Sequence, residues 1–248
     1  MKKLLFILLV FISCKKETTK NKPLIKKINL TKSQHIQETP IKTYTLYFEK
    51  SNATSSADKA IISLLKKVFD KDSIGTSYFK IDVYNKNKVK FSQNISIQFG
   101  SEEGYWHINE DIMSNEKEAK TDYRFFELSY GYDACGYTQT NFLFFTDENT
   151  SQLILKSESM ADGGYGVWTE IESKFRDATV TLFTTKTISI DNDESKPYND
   201  ENEDLIKSYS DSVVYTFNSN KWNANEITSK GKIFRKEFKT FNNIYKQE

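Results

Sequence analysis

The stretch YRFFELSYGYDACGYTQTNFLFFTDENTSQLILKSES, residues 123–159, decides the fold. Runs rich in aromatic and β-branched residues alternate in it with short turn-like pieces such as DACG and TDENTS. The same pattern continues through YGVWTEIES to ATVTLFTTKTISI, with connections of about four to six residues between the strand-like runs. This spacing predicts an antiparallel meander.

Further strands are predicted on both sides of the meander. From Phe79 to Phe99 apolar residues occupy odd positions and polar residues even ones, which is typical of a sheet covered on one face. NKNK at 85–88 is the predicted turn within this region. Additional strands are predicted in four places: 43–49, Tyr105 to Asn109, Ser212 to Phe217 and Ile227 to Phe234.

One helix is predicted, over SSADKAIISLLKKVFD at residues 55–70. Ser55 followed by Asp58 forms a capping-box pattern. The apolar residues of the segment fall on one helical face: Ala57, Ala60, Ile61, Leu64, Leu65 and Val68.

These elements predict an α+β fold, mainly antiparallel β, with one helix packed against a meander of strands. A curled cystatin-like sheet, a sandwich and a closed barrel all fit the pattern. Residues 41–248 show no internal repeat and no composition shift that marks a boundary, so we expect one β-rich domain there.

The first residues have the form of a secretory signal. Lys2 and Lys3 precede the apolar run Leu4 to Ile12, which ends at the small residue Ser13. The run is about half the roughly 20 residues that a spanning helix needs, so a permanent transmembrane segment is not expected.

Phe11-Ile12-Ser13-Cys14 resembles the lipobox of bacterial lipoproteins. The resemblance covers only the first fourteen residues. It implies that residues 1–13 are a signal peptide and that Cys14 is acylated and becomes the first residue of the mature chain. Lys15 stands where an inner-membrane retention signal would place Asp, so the resemblance implies the outer membrane.

Lipidation at Cys14 would attach the chain to a membrane, since two or more acyl chains suffice for stable anchoring. Residues 14–40 then form the anchor and a lysine-rich tether, whose low hydrophobicity predicts flexibility. The tether lysines either contact anionic lipid or belong to a solvated spacer.

Charge and cysteine content narrow the possible partners. The 35 Lys and Arg residues and the 34 Asp and Glu residues nearly cancel, which removes the electrostatic case for nucleic acid. With Cys14 acylated, Cys135 is the remaining thiol of the two cysteines, so no internal disulfide is expected.

Alternate loops of a meander lie at the same end of the sheet. The loops at 133–136, 160–164 and 191–204 should therefore share one edge, which we call the tyrosine rim. The rim also includes Cys135, Gly136, Gly163 and Gly164. The candidate binding residues on it are Tyr132, Asp133, Tyr137, Asp162, Tyr165 and Trp168.

Tyrosine with glycine and acid suits a polar-ligand or protein-binding edge, because rigid amphipathic rings give contact area at low entropic cost. Each piece of the tyrosine rim also has a purely structural explanation. Asp162-Gly163, for example, is a hairpin-turn signal in its own right.

No catalytic, metal or cofactor site is predicted. Asp191, Asp193 and Ser195 look like the start of a calcium loop, but Lys196 stands where glycine is needed and Asn202 where the bidentate glutamate belongs. A pair of Cys135 with His107 could serve acyl transfer, yet no motif flanks either residue.

Three functions remain open. The first is a non-catalytic envelope lipoprotein that binds a protein or glycan through the tyrosine rim. The second is a carrier of a lipid or other apolar ligand, because Phe125, Phe126 and the run 142–145 place aromatic residues on both strand faces. The third is a hydrolase that uses carboxylates or Cys135.

Overall fold

The computed structural model describes residues 39–49, 57–99, 104–132, 137–162, 165–196 and 204–245. The predicted signal peptide, Cys14 and nearly all of the tether lie outside these ranges. Among the described residues, no helix combines the length and the apolar character needed to cross a membrane.

A four-stranded antiparallel sheet is formed by the first part of the domain. Its strands pair in chain order: β1 (Lys42–Tyr47), β2 (Lys59–Phe69), β3 (Gly75–Asn85) and β4 (Lys88–Phe99). The predicted turn at 85–88 is confirmed, with Lys86 and Asn87 at positive φ.

Within the described ranges, a second antiparallel sheet contains nine strands. They are β5 (Tyr105–Asn109), β8 (Phe125–Tyr132), β9 (Tyr137–Thr146), β10 (Ser151–Asp162), β11 (Tyr165–Arg176), β12 (Thr179–Asn192), β13 (Asp204–Asn218), β14 (Lys221–Glu226) and β15 (Arg235–Thr240).

Two minor strands pair between β5 and β8: β6 (Ser114–Asn115) and β7 (Lys120–Thr121). One short helix, α1 (Phe241–Tyr245), ends the described part of the chain. The predicted class is confirmed: the fold is mainly antiparallel β, and the path of the larger sheet runs from β14 to β5 without closing into a barrel.

The meander is confirmed strand by strand. Strands β8 to β13 pair consecutively and antiparallel, as the spacing of the turn pieces predicts. The larger sheet nevertheless divides into two parts, because β10 and β11 pair only at their connected ends, Met160–Asp162 with Tyr165–Val167.

The first hydrophobic core lies between the four-stranded sheet and one face of the strands β5 and β8 to β10. Phe126 stacks on Phe144 with ring centroids 5.2 Å apart, and Phe48 meets Phe126 edge-on at 4.7 Å. Phe79 contacts Trp106 in the same way at 5.3 Å. Such aromatic pairs add to the free energy gained from burial alone.

The second core lies on the opposite face of β8 and β9. Phe125 and Phe145 pack there against Phe183 of β12 and Trp222 of β14. The strands β8 and β9 are therefore a middle layer, covered on one side by the four-stranded sheet and on the other by the strands from β11 onward.

The side chain of Gln152 joins β10 to β14. Its Nε2 donates to the carbonyl of Trp222 at 3.0 Å, and its Oε1 accepts from the Trp222 N–H at 2.9 Å. The Gln152 amide therefore makes the two hydrogen bonds that a paired backbone residue would make. It joins β10 to β14, which are not neighbours in the strand order.

The predicted helix at 55–70 is wrong, because β2 occupies Lys59–Phe69. Ala60, Ile62 and Leu64 alternate into the first core and are at most 2% exposed, so a period of two fits the segment as well as a helical period. Pairing with both β1 and β3 outweighs the local helix preference. Asp58 accepts a hydrogen bond from Lys86 N–H, at the β3–β4 turn.

The predicted strand from Ile227 to Phe234 is also wrong. That segment connects β14 to β15, which lie one after the other along the same edge of β13. The chain must cross between them, and Gly231 at φ 72° turns it.

Because the middle layer is buried on both faces, truncating either face should be costly. We expect Phe144→Ala and Phe145→Ala each to lower the free energy of unfolding by about 3–5 kcal/mol. Tyr47→Ala, on a side chain 68% exposed, should change it by no more than about 0.5 kcal/mol. Urea titration followed by circular dichroism measures all three, and a Phe145→Ala effect as small as that of Tyr47→Ala would contradict the second core.

Candidate functional site

The strand ends of the tyrosine rim lie together, as the meander predicts. Tyr137 pairs with Ala161, which in turn pairs with Gly166, and Asp162 pairs with Tyr165. Adjacent strands are about 4.8 Å apart, so these residues lie within two or three strand spacings.

The structure divides the predicted rim residues between two faces of the sheet. The pairing register places Tyr137 and Trp168 on one face, and Asp162 and Tyr165 on the other. Tyr137 is 36% exposed and Asp162 is exposed, whereas Tyr165 and Trp168 are half-buried. The six candidates therefore do not form one flat surface.

Some of the predicted residues lie outside the described part of the chain. Asp133, Cys135, Gly136, Gly163 and Gly164 are these residues, and Tyr132 is the last residue of β8. The proposed pair of Cys135 and His107 lies partly outside the described residues for the same reason. His107 itself is exposed on β5, with its ring 4.7 Å from that of Tyr105.

A group of polar side chains lies below Tyr137 on its own face of the sheet. Residues directly opposite each other in antiparallel strands point to the same face with Cβ atoms about 4.5–5.5 Å apart. The register makes three rows across β5, β8, β9 and β10, which we call the polar face: Tyr105, Gly131, Gln139 and Ser159; His107, Ser129, Asn141 and Ser157; Asn109, Glu127, Leu143 and Leu155.

Hydrogen bonds order the middle of the polar face. Gln139 Nε2 donates to Asn141 Oδ1 at 2.5 Å, and Asn141 Nδ2 donates to Ser159 Oγ at 3.2 Å. Asn141 and Ser129 are buried, while Gln139 and His107 reach solvent. Buried Asn141 thus holds the side chain of Gln139 in place.

Tyr137 closes the top of the polar face by lying across Gly131. A Cβ atom added to Gly131 would come within 2.8 Å of Tyr137 Oη. Glycine at this position therefore allows the tyrosine ring to approach the sheet, and it joins the tyrosine rim to the polar face.

Glu127 is the half-buried acid of the polar face. Burial raises the pKa of its carboxyl group, and a weak hydrogen bond from the Ser129 hydroxyl, 3.5 Å from Oε1, opposes the rise. A carboxyl group whose pKa is raised can keep its proton and donate a hydrogen bond to a ligand oxygen.

Sequence reasoning missed the polar face, although a signal was present. In YTQTNFLFF the residues Gln139 and Asn141 share the odd parity of Leu143 and Phe145, so the face that is apolar at one end of β9 becomes polar at the other. Reading β9 together with its neighbours requires the pairing register, which the sequence alone does not give.

A cavity of about 200 Å³ lies at the opposite end of the sheet from the tyrosine rim. The guanidinium of Arg124 lies 5.1 Å from the Phe145 ring centre and is held by Asp122, with Nε and Nη2 at 2.9 and 2.7 Å from its two oxygens. This ion pair raises the pKa of Arg124. The other residues that line the cavity are Thr179, Val180, Thr181, Phe217 and Trp222.

Asp122 also accepts a hydrogen bond from the Val180 N–H at 2.8 Å, so it ties the segment before β8 to β12. The charge of Arg124 is thus balanced inside the protein. A cavity whose single cation is already paired offers little attraction to an anionic ligand, and we regard it as part of the packing around the second core.

The aromatic residues that suggested a carrier are covered by protein. Phe125, Phe126, Phe142 and Phe144 are at most 2% exposed, and their partners are side chains of the two cores. Aromatic residues on both faces of β8 and β9 are thus explained by the two cores and no longer favour a carrier.

Only part of the acidic insert is described. Asp193 Oδ1 accepts hydrogen bonds from the backbone N–H and the hydroxyl of Ser195, at 3.1 and 2.5 Å, which makes a local turn. Residues 197–203 lie outside the described ranges.

Comparisons of the chain with protein-family models, with curated proteins and with solved structures gave no match. The assignment of function therefore depends on the residues themselves.

The raised pKa of Glu127 predicts a pH effect on stability. As the pH rises above about 4.5, the unfolded chain loses this proton before the folded chain does, so ionisation weakens folding. We expect the stability of Glu127→Gln, relative to the native chain, to increase with pH from about 4.5 up to the raised pKa of the folded protein. Urea titrations across this range measure the difference, Glu158→Gln on the opposite face controls for net charge, and a pH-independent difference would contradict the prediction.

Proposed function

We propose that this protein is a lipid-anchored, non-catalytic binding module of the bacterial cell envelope. The anchor would be Cys14, and the membrane would be the outer membrane. The proposal for the anchor rests on the charged start, the apolar run and the lipobox-like sequence around Cys14.

The observation that supports binding is the continuity of the polar face with the tyrosine rim. One surface combines amide, hydroxyl, carboxyl and imidazole groups with the rings of Tyr105 and Tyr137. Because β8 and β9 are packed on both faces below this surface, its side chains are held on a rigid support, which reduces the entropic cost of binding.

A glycan of the envelope suits this surface best. Sugar hydroxyls both donate and accept hydrogen bonds, and so do the amide groups of Gln139 and Asn141 and the serine hydroxyls. Tyrosine rings present an apolar face to the C–H side of a sugar ring and a hydroxyl to its edge. A protein partner at the tyrosine rim is the second candidate, since Asp162 and Tyr165 extend the rim on the other face.

The anchor can be tested by replacing Cys14 with serine. We expect Cys14→Ser to abolish labelling of the protein in cells fed with an alkyne-tagged palmitate. Cys135→Ser is the matched control and should keep the label. Fractionation of the same cells should show the native chain and Cys135→Ser with the outer membrane, and continued labelling of Cys14→Ser would refute lipidation at this residue.

The binding surface can be tested with Tyr137→Ser combined with Gln139→Ala. Loss of one ring contact and one hydrogen bond should weaken binding to isolated envelope polysaccharide by about 1–3 kcal/mol, roughly five- to 150-fold. Tyr47→Ser, an exposed tyrosine of the four-stranded sheet, is the matched control and should bind as the native chain does.

Sedimentation of the full chain with purified peptidoglycan and with lipopolysaccharide measures the effect on glycan binding. Photo-crosslinking from position 137 in whole cells separates the two candidates, since a glycan adduct is removed by glycosidases and a protein adduct is removed by protease. Unchanged binding of the double variant to every glycan, together with no adduct from position 137, would overturn the proposal.

A further inference from the structure

A second surface lies at the edge of the larger sheet, on β15 and the segment that leads into it. It covers residues 227–240, ITSKGKIFRKEFKT, and we call it the basic edge. β15 pairs only with β13 among the described strands, so within that part of the chain its other side has no paired strand. Nearly every residue from Ser229 to Lys236 is exposed.

The basic edge carries an unbalanced positive charge. The acid within it is Glu237, which pairs with Arg235 and with Lys239, the latter at 3.6 Å. Among the described residues, the ammonium groups of the remaining three lysines have no ion-pair partner. The cations of the basic edge are Lys230, Lys232, Arg235, Lys236 and Lys239.

Large apolar side chains are exposed between these cations. Phe238 is 69% exposed and Ile227 57%, and Ile233 and Phe234 are each 46% exposed. Single exposed apolar residues are ordinary, but four within one short segment, interleaved with lysine and arginine, form a combined surface.

We infer that the basic edge contacts the surface of an anionic phospholipid bilayer. Segments that lie in the membrane interface combine lysine and arginine with apolar residues such as phenylalanine and isoleucine. Their cations contact phosphate groups, and their apolar side chains enter the acyl boundary. A polyanionic surface also matches three lysines that lack an acidic partner within the described chain.

The position of the basic edge agrees with this occupant. β15 is an edge strand among the described strands, and Lys236 and Phe238, two residues apart, present exposed side chains on one of its faces. A flat surface can approach these side chains there. The chain between Cys14 and Lys42 spans at most about 100 Å when extended, which allows the body to turn this edge toward the bilayer. If the chain is anchored as proposed, attachment raises the local concentration of the basic edge at the bilayer, and a weak contact becomes populated.

Acidic groups near the basic edge could compete with lipid. Asp211 Oδ1 accepts from the Gly231 N–H at 2.5 Å, and Asp204 pairs with Thr240 at the end of β15. A second copy of the chain could also add a strand to the open side of β15. Both alternatives would shield the edge without any need for anionic lipid.

The test uses the full chain reconstituted into two kinds of vesicle, pure phosphatidylcholine and phosphatidylcholine with about 30% phosphatidylglycerol. A membrane-impermeant amine reagent modifies accessible lysines, and mass spectrometry gives the rate at each site. Lys230, Lys232, Lys236 and Lys239 report on the basic edge. Lys88 and Lys90 of β4, which flank the exposed Val89, are the internal control.

We expect modification at the four reporter lysines to be slowed roughly threefold or more in the anionic vesicles, with Lys88 and Lys90 unchanged. High salt should restore the rate because it screens the lysine–phosphate attraction. The triple variant Lys236→Gln, Phe238→Ser, Lys239→Gln should lose the protection of Lys230 and Lys232, whereas Lys88→Gln, Val89→Ser, Lys90→Gln should keep it.

Equal rates in the two vesicles overturn the inference. If the four reporter lysines are modified slowly in both vesicles while Lys88 and Lys90 react fast, the inference is also overturned. A contact within the protein or between two copies then covers the basic edge. Flotation of the chain with phosphatidylcholine vesicles measures membrane attachment through the proposed anchor. Failure of the anchor and failure of the basic edge therefore give different results.

Discussion

The burial of β8 and β9 on both faces is the constraint on which the rest of the structure depends. Phe126 and Phe144 fill one core while Phe125 and Phe145 fill the other, so neighbouring residues of one strand serve opposite layers. Neither outer layer could be removed without exposing a row of aromatic rings to water. This explains why the four-stranded sheet and the strands from β11 onward both pack against the same two strands.

The same constraint positions the candidate site. Along one face of β9 the side chains change from Phe145 and Leu143 to Asn141 and Gln139. The packed end of the strand therefore holds the polar end in a fixed position. Buried Asn141 accepts a hydrogen bond from Gln139, and buried Ser129 donates one to Glu127. A surface that is rigid before binding loses little entropy on binding, which suits recognition of a small polar group better than a mobile loop does.

The sequence predicts the parts of this fold in which local pattern and pairing agree. The meander, the turn at 85–88 and the strand Tyr105–Asn109 all follow from period-two alternation and turn residues. The segment 59–69 misleads because its apolar residues satisfy two periods at once, and only its pairing with β1 and β3 decides between them. The tyrosine rim could be located from loop order, but the division of Tyr137 from Asp162 and Tyr165 depends on register.

The placement of the tryptophans has a spectroscopic consequence. The chain contains three, of which Trp106 is buried in the first core and Trp222 in the second, whereas Trp168 is half-buried beside the tyrosine rim. The emission of an indole ring shifts with the polarity around it, so each region carries its own intrinsic fluorophore. Chains that retain one tryptophan at a time would show whether the two cores melt together, as their shared middle layer requires, or in separate steps.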